Sequence, residues 1–270
     1  MGTGLGHGRG VLVTGASRGI GAAVAAAFAE RGDRVAVHYR SAADRAEQVM
    51  AGLAGSGHRT VSGDIADPDA VAAMVGAAAA GLGRIDVRVN NAAMFVESPV
   101  AGSRRSGHPI AETTYADWVA VWRRTVEVNL LGTANVAWCV ARQMLATEPA
   151  AGLPRGRIVN IGSRGAYRGE PAVPAYGASK AGVHALGQSL ALALGGHGIA
   201  VTSVAPGFVA TEMAAQALAG DEGDAVRAQS PFGRVAEAAE VAAAVVFLAS
   251  PEAEWASGAV LDLNGASYLR

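Results

Sequence analysis

The chain has 270 residues, 51% hydrophobic and 17% charged, which is enough to bury the core of one large α/β domain and excludes a disordered polypeptide. Its formal net charge is −1, and Lys, Arg, Asp and Glu are scattered rather than blocked, so the clustered basic surface of a nucleic-acid-binding protein is not expected. The one cysteine, Cys139, excludes an intrachain disulfide and is expected as a small core residue, and six histidines without i,i+4 pairing give no expectation of a metal site.

The glycine-rich start, Met1 to Gly10, lacks the apolar core of a signal peptide, and residues 1–9 are expected to be flexible. Val11-Leu12-Val13 then reads as a strand leading into a helix from about Ile20 to Arg31. Val35-Ala36-Val37 leads into a helix over Ala42 to Leu53, and Thr60-Val61 leads through Asp67-Pro68 into one over Val71 to Ala80. Ile85 to Val89 is a fourth strand. An irregular stretch, Glu97 to Thr114, separates it from one long helix over Tyr115 to Leu145. The strand Ile158 to Ile161, a helix over Ala175 to Leu194 and a strand over Ile199 to Val204 come next. A second irregular stretch, Phe208 to Phe232, precedes a helix over Glu237 to Leu248 and a closing strand over Ala259 to Leu263. The longest uniformly apolar run, Val241 to Ala249, is far too short to span a bilayer, so a cytoplasmic chain without a membrane partner is expected.

Strands without polar alternation are buried on both faces, and strands separated by helices pair in parallel. The pattern predicts a single α/β domain over residues 1–270, a Rossmann-type doubly wound parallel sheet with helices on both faces. Both irregular stretches, 97–114 and 208–232, follow strand carboxyl ends, the edge where such sheets carry ligands. They are expected to be substrate-side loops.

Thr14-Gly15-Ala16-Ser17-Arg18-Gly19-Ile20-Gly21 joins the first strand to the first helix. Glycines there permit a tight turn and let a pyrophosphate approach backbone N–H groups at the helix amino terminus. The second strand ends in His38-Tyr39-Arg40-Ser41, with no carboxylate to hold a ribose 2′-hydroxyl. Arg40 and Arg18 would instead attract a 2′-phosphate, whose oxygens suit the planar guanidinium fork. NADP(H) is therefore the expected cofactor.

Tyr176 and Lys180 stand at i and i+4 on one helix, and Ser163 ends the fifth strand at the crevice edge. An ammonium near a phenol favours the phenolate, so Lys180 is expected to lower the Tyr176 pKa and tune it for proton transfer to a carbonyl oxygen. Ser163 can hydrogen-bond the same oxygen.

At this point the sequence resembles the short-chain dehydrogenase/reductase (SDR) family, through Thr14-Gly15…Gly19-Ile20-Gly21, Asp64-Ile65, Asn90-Asn91-Ala92, Asn129, Ser163, Tyr176, Lys180 and Pro206-Gly207…Thr211. The resemblance spans essentially the whole chain and leans toward 3-oxoacyl-(acyl-carrier-protein) reductase-like ketoreductases. It implies that Gly15, Ser17, Arg18, Gly19, Ile20 and Gly21, with Tyr39, Arg40 and Ser41, bind the cofactor. It also implies that Asp64 and Ile65 contact adenine, that Asn90 and Ala92 stabilise the central sheet and line the cofactor, that Asn91, Ala93, Pro206, Gly207 and Val209 bind the cofactor, and that Thr211 binds the nicotinamide carboxamide. Lys180 would bind the nicotinamide ribose, and Asn129 would hold a water in a relay with Lys180. Phe95, Ser163 and Phe208 would face a small carbonyl or alcohol. The family's common quaternary form implies a homotetramer or a homodimer.

Three features depart from the family pattern. Ala93 replaces a glycine, Arg88 puts a charge inside the fourth strand, and the segment from Ala93 to Asn129 is long. Two rival readings remain open. Asn90 to Phe95 with Ser98-Pro99 is similar to the corresponding turn of pteridine reductases, although those have an acid where Ser163 stands and an arginine where Gly19 stands. An inactive NADP(H)-binding regulator is the other, although such chains typically lose Tyr or Lys.

Overall fold

The computed structural model describes residues 8–95, 107–149, 154–215 and 217–270. Seven strands form one sheet: β1 (Gly10–Val13), β2 (Arg34–Tyr39), β3 (Arg59–Ser62), β4 (Val87–Asn90), β5 (Gly156–Ile161), β6 (Ile199–Pro206) and β7 (Val260–Leu263). All neighbours pair in parallel, in the order β3-β2-β1-β4-β5-β6-β7. The chain winds outward from β1 in one direction, crosses back to β4, and winds outward in the other. That reversal leaves a crevice at the carboxyl ends of β1 and β4.

The covering helices are α1 (Gly19–Ala29), α2 (Ala43–Ala51), α3 (Pro68–Leu82), α4 (Tyr115–Val126), α5 (Thr133–Ala146), α6 (Gly165–Arg168), α7 (Pro174–Gly195), α8 (Gly220–Arg227) and α9 (Ala238–Leu248). Successive strand residues point to opposite faces. Val11, Val13, Val35, Val37, Val159 and Ile161 accordingly pack with α1, α2 and α9, whereas Leu12, Ala36 and Ile158 pack with α3, α5 and α7. Among the described residues no helix is long and apolar enough to cross a membrane.

Several expectations need correction. The long helix is interrupted by a six-residue π-helical turn, Glu127–Gly132, that joins α4 to α5. The 208–232 stretch is not irregular throughout. It holds a 3-10 turn, Glu212–Ala214, and α8, where Arg227 pairs with Asp224 at 2.9 Å and donates to the Leu218 carbonyl at 3.0 Å. Gly220 and Gly223 masked that helix, because glycine is a poor helix former. Residues 97–106 of the other expected loop lie outside the described residues. Its remainder is anchored, with buried His108 donating from its backbone N–H to Ala172 O at 2.8 Å.

Residues 1–7 also lie outside the described residues, but Arg9 is buried rather than free. It pairs with Asp33 at 2.7 Å and donates to Ala249 O at 3.0 Å. Cys139 is half-buried, not a full core residue. Arg88 is fully buried, and its partner is a backbone carbonyl, Thr133 O at 3.0 Å. Burial pushes its guanidinium down to about 9, since the interior disfavours the charged form.

Candidate active site

The turn between β1 and α1 is clamped from three sides. Gly15 has φ +64°, and a methyl group there would sit 2.8 Å from Ala92 Cα, so glycine is required for the turn to pack on the chain leaving β4. Asn91 Nδ2 donates to Thr14 O and Gly15 O, both at 3.0 Å, while Thr14 Oγ1 accepts from the Asn91 and Ala92 amides at 3.0 Å. His38 supplies the third clamp. Its Nδ1 accepts from the Gly15 amide at 3.0 Å, which leaves Nε2–H to donate to Gly63 O at 3.0 Å. Burial lowers the His38 pKa, favouring the neutral ring that this bridge needs. His38 sits at the end of β2 with no local sequence signal for this bridge, which only the fold brings together.

Beyond the turn, α1 begins with no side-chain cap and no acid in its first turn. Its first N–H groups are therefore open to an anion. Arg40 is exposed and has no ion pair among the described residues. Arg18 already carries an ion pair, because Glu212 reaches it at 3.6 Å and Arg45 at 2.7 Å. Asp64 pairs with Arg124 at 2.9 Å. A methyl on Gly132 would lie 2.8 Å from Ile65 Cγ1, so the π-helical turn packs directly on Ile65.

Three of the four expected catalytic residues, Ser163, Tyr176 and Lys180, gather past the end of β5. Lys180 is buried and donates from Nζ to Ile161 O at 2.8 Å, with Nζ 5.7 Å from the centroid of the Tyr176 ring. Asn129, in the π-helical turn, accepts from the Met94 amide at 2.8 Å and donates to Met94 O and Ser179 Oγ, both at 3.1 Å. It thus ties the β4 exit to α7, although no direct bond joins it to Lys180. Ser163 Oγ accepts from the Gly165 amide at 3.0 Å. Burial pushes the Tyr176 phenol up to about 12, with hydrogen bonding to Ser163 opposing and the Glu170 charge reinforcing. The lowering expected from Lys180 is not what this state shows: burial dominates, Ser163 is the group that opposes it, and the ammonium is held by Ile161 O. Burial brings Lys180 itself down to about 8.

The glycine turn, the uncapped helix and the Ser-Tyr-Lys-Asn cluster occur together on one 3-2-1-4-5-6-7 sheet. A family model described as enoyl-(acyl carrier protein) reductase matches residues 15–265. The chain belongs to the short-chain dehydrogenase/reductase family. The D-threitol dehydrogenase of Mycolicibacterium smegmatis is 38% identical over 265 residues, covering 97% of this chain and 94% of that protein. The 3-oxoacyl-(acyl-carrier-protein) reductase of Vibrio cholerae is 32% identical, covering 97% and 98%. A solved short-chain dehydrogenase of Burkholderia cenocepacia in complex with NADP aligns with a TM-score of 0.81 at 34% identity, covering 97% of this chain and 98% of that one.

In this SDR chain a cavity of about 560 Å³ runs along the crevice. Every residue expected to hold the cofactor lines it except Gly21, which packs instead against Gly15 O and the Asn91 side chain, and Asn90, which is buried and donates to Thr133 Oγ1 at 2.9 Å. Gly15, Ser17, Arg18, Gly19, Ile20, Tyr39, Arg40 and Ser41 form one end, and Asp64, Ile65, Asn91, Ala92 and Ala93 form the floor. Lys180, Tyr176, Pro206, Gly207 and Val209 line it too, with the expected substrate residues Phe95, Ser163 and Phe208, whereas Thr211 stands against Gly19, where an added methyl would lie 3.4 Å from its Cγ2. Asn129 does not line the cavity; its side chain bonds Met94 and Ser179. Met94, Arg164, Glu170 and Met213 also line it and were not foreseen. Nothing in their spacing marked them, because the folding of the segments after β4, β5 and β6 brings them in.

Proposed function

We propose that the chain interconverts a carbonyl and a secondary alcohol by hydride transfer with NADP(H). The observation that carries this reading is one continuous cavity with an uncapped helix and Arg40 at one end and Ser163, Tyr176 and Lys180 at the other. The residues fit the cofactor. Open N–H groups at α1 suit a pyrophosphate, the close-packed Gly15 turn admits it, and a cation without an ion pair suits a 2′-phosphate. NADPH supplies a hydride to the carbonyl carbon, and NADP+ takes one back in the oxidative direction.

The protein's own part is proton handling and orientation. Ser163 Oγ–H would donate to the carbonyl oxygen, and the Tyr176 phenol would donate its proton as that oxygen gains charge. A phenol raised to about 12 is protonated at neutral pH, as a proton donor must be. Lys180 would hold the nicotinamide ribose and stabilise the phenolate left behind. Asn129 would hold the π-helical turn and the start of α7 in register. Leu131 and Trp138 remain exposed on this helix, which suits self-association into a homotetramer or homodimer, with the cytoplasm as the proposed setting.

The test is an NADPH-oxidation screen of the purified protein against ketoacyl thioesters, diketones, quinones, pterins and sugars. Turnover of a ketone or sugar supports the reading. Turnover confined to pterins favours the pteridine-reductase alternative, and tight NADPH binding with no turnover favours an inactive regulator.

A further inference from the structure

The cavity wall beside Tyr176 carries one carboxylate that the proposed reaction does not use. Glu170 follows α6 and lines the cavity with Ser163, Tyr176, Phe95 and Phe208. Two glycines make its place. A methyl on Gly165 would come 2.7 Å from a Glu170 carboxylate oxygen, and one on Gly177 would come 3.7 Å from Glu170 Cβ. The side chain therefore lies between the turn after Ser163 and the first turn of α7, against the residue that follows Tyr176.

Its basic neighbours are committed elsewhere. Arg164 donates to Ser267 Oγ and, at 2.6 Å, to Gln229 Oε1, and Arg168 donates to the same Gln229 oxygen at 2.7 Å. Among the described residues no hydrogen bond or ion pair reaches the Glu170 carboxylate. The carboxylate is half-buried, and a ligand hydroxyl that donates to it forms a charge-assisted hydrogen bond with no protein donor to displace. Burial raises the Glu170 carboxyl pKa, with Arg164 and Arg168 opposing.

We propose that Glu170 selects the substrate by accepting a hydrogen bond from a second hydroxyl next to the reacting carbon, so that the enzyme takes neutral vicinal diols and their α-hydroxy ketones. This rests on the carbonyl–alcohol reading above. A cationic substrate is disfavoured by Arg164 and Lys180, which line the same cavity. Met94, Phe95 and Phe208 leave apolar wall for the carbon skeleton. In the oxidative direction the carbinol carbon loses a hydride to NADP+ and its hydroxyl loses a proton to the Tyr176 phenolate. The product is an α-hydroxy ketone, and the second hydroxyl is unchanged.

Calorimetric titration of the full chain with NADP+ present tests this, using cyclohexane-1,2-diol and cyclohexanol as probes on wild type, Glu170→Leu and Glu170→Gln. The wild type is expected to bind the diol about tenfold or more tightly than cyclohexanol. Glu170→Leu should bring that ratio close to one, while Glu170→Gln keeps part of it, because an amide oxygen still accepts. A wild type that does not discriminate, an unchanged ratio in Glu170→Leu, or an equal loss of both affinities overturns the proposal, since a merely structural role would weaken both probes together. If the wild type prefers the diol through Glu170 but reduces no NADP+, the selectivity stands and the carbonyl–alcohol reading falls.

Discussion

The Phe95 ring meets the Tyr176 ring edge-on, with centroids 5.1 Å apart and planes at 80°. The residue that begins the loop after β4 thus buttresses the proposed proton donor as well as lining the substrate end. Edge-to-face pairs contribute about 0.5–1.5 kcal/mol beyond burial. Phe95→Ala should therefore lower kcat several-fold as well as raise KM, with NADPH affinity unchanged. Steady-state kinetics separate the two effects, and a raised KM with full kcat would reduce Phe95 to a substrate contact.

Cofactor choice should follow the arginines. Losing a hydrogen bond to a charged group costs about 1.5–3 kcal/mol, so Arg40→Asp should cut kcat/KM for NADPH at least about tenfold and improve it for NADH. Glu212 occupies both Arg18 and Arg45, as an anion would. Glu212→Gln should free them, tightening NADPH binding with little effect on NADH. Fluorescence titration with the two cofactors checks this, and equal responses to both would remove the 2′-phosphate from the account.

The rate of carbonyl reduction should depend on pH through Lys180. The Tyr176 phenol, at about 12, stays protonated across the working range, whereas Lys180, at about 8, loses its charge within it. The kcat/KM for reduction should be level below pH 8 and fall about tenfold per unit above it. Alcohol oxidation should rise with pH instead, because it needs the phenolate. A reductive profile still level at pH 10 would contradict the role given to Lys180.

What the sequence revealed of this molecule is mainly what a short stretch of chain determines by itself. The uninterrupted apolar runs at Val11–Val13 and Ile158–Ile161 announced strands buried on two faces, and alternation with helices required a parallel sheet. Tyr176 and Lys180 were legible because a helix places i and i+4 together. Glu212 on Arg18, the His38 bridge to Gly15 and Gly63, and Glu170 beside Tyr176 were not, because each joins segments that only the finished fold brings together. The π-helical turn at Asn129 was also hidden, since its residues read as ordinary helix. The rise of the Tyr176 pKa was hidden for another reason: the charge pattern showed the ammonium, but not the burial of the phenol that sets the direction.

Stability should fall in mild acid through the buried histidines. His184 stacks on Tyr167 at 5.1 Å, and burial, reinforced by Lys180, brings its pKa down to about 4. His38 is lowered as well, chiefly by burial. Both rings are neutral in the folded chain and take a proton more readily when it unfolds. Their contribution is therefore fully present above the unfolded value of 6.5 and is lost as pH falls from there toward 4. For His184 the loss is on the order of 3 kcal/mol. Urea midpoints at descending pH should show it, and His184→Gln should flatten the slope. A variant with the wild-type slope would assign the acid sensitivity elsewhere.

Tyr176 is the proposed proton donor in NADPH-dependent carbonyl reduction. The direct measurement is the turnover of wild type and Tyr176→Phe on the preferred carbonyl, with NADPH binding titrated in parallel. Turnover should fall by roughly 10²–10⁴, while NADPH affinity stays the same because the glycine turn, Arg40 and Lys180 remain. Near-normal turnover in Tyr176→Phe would contradict the account outright.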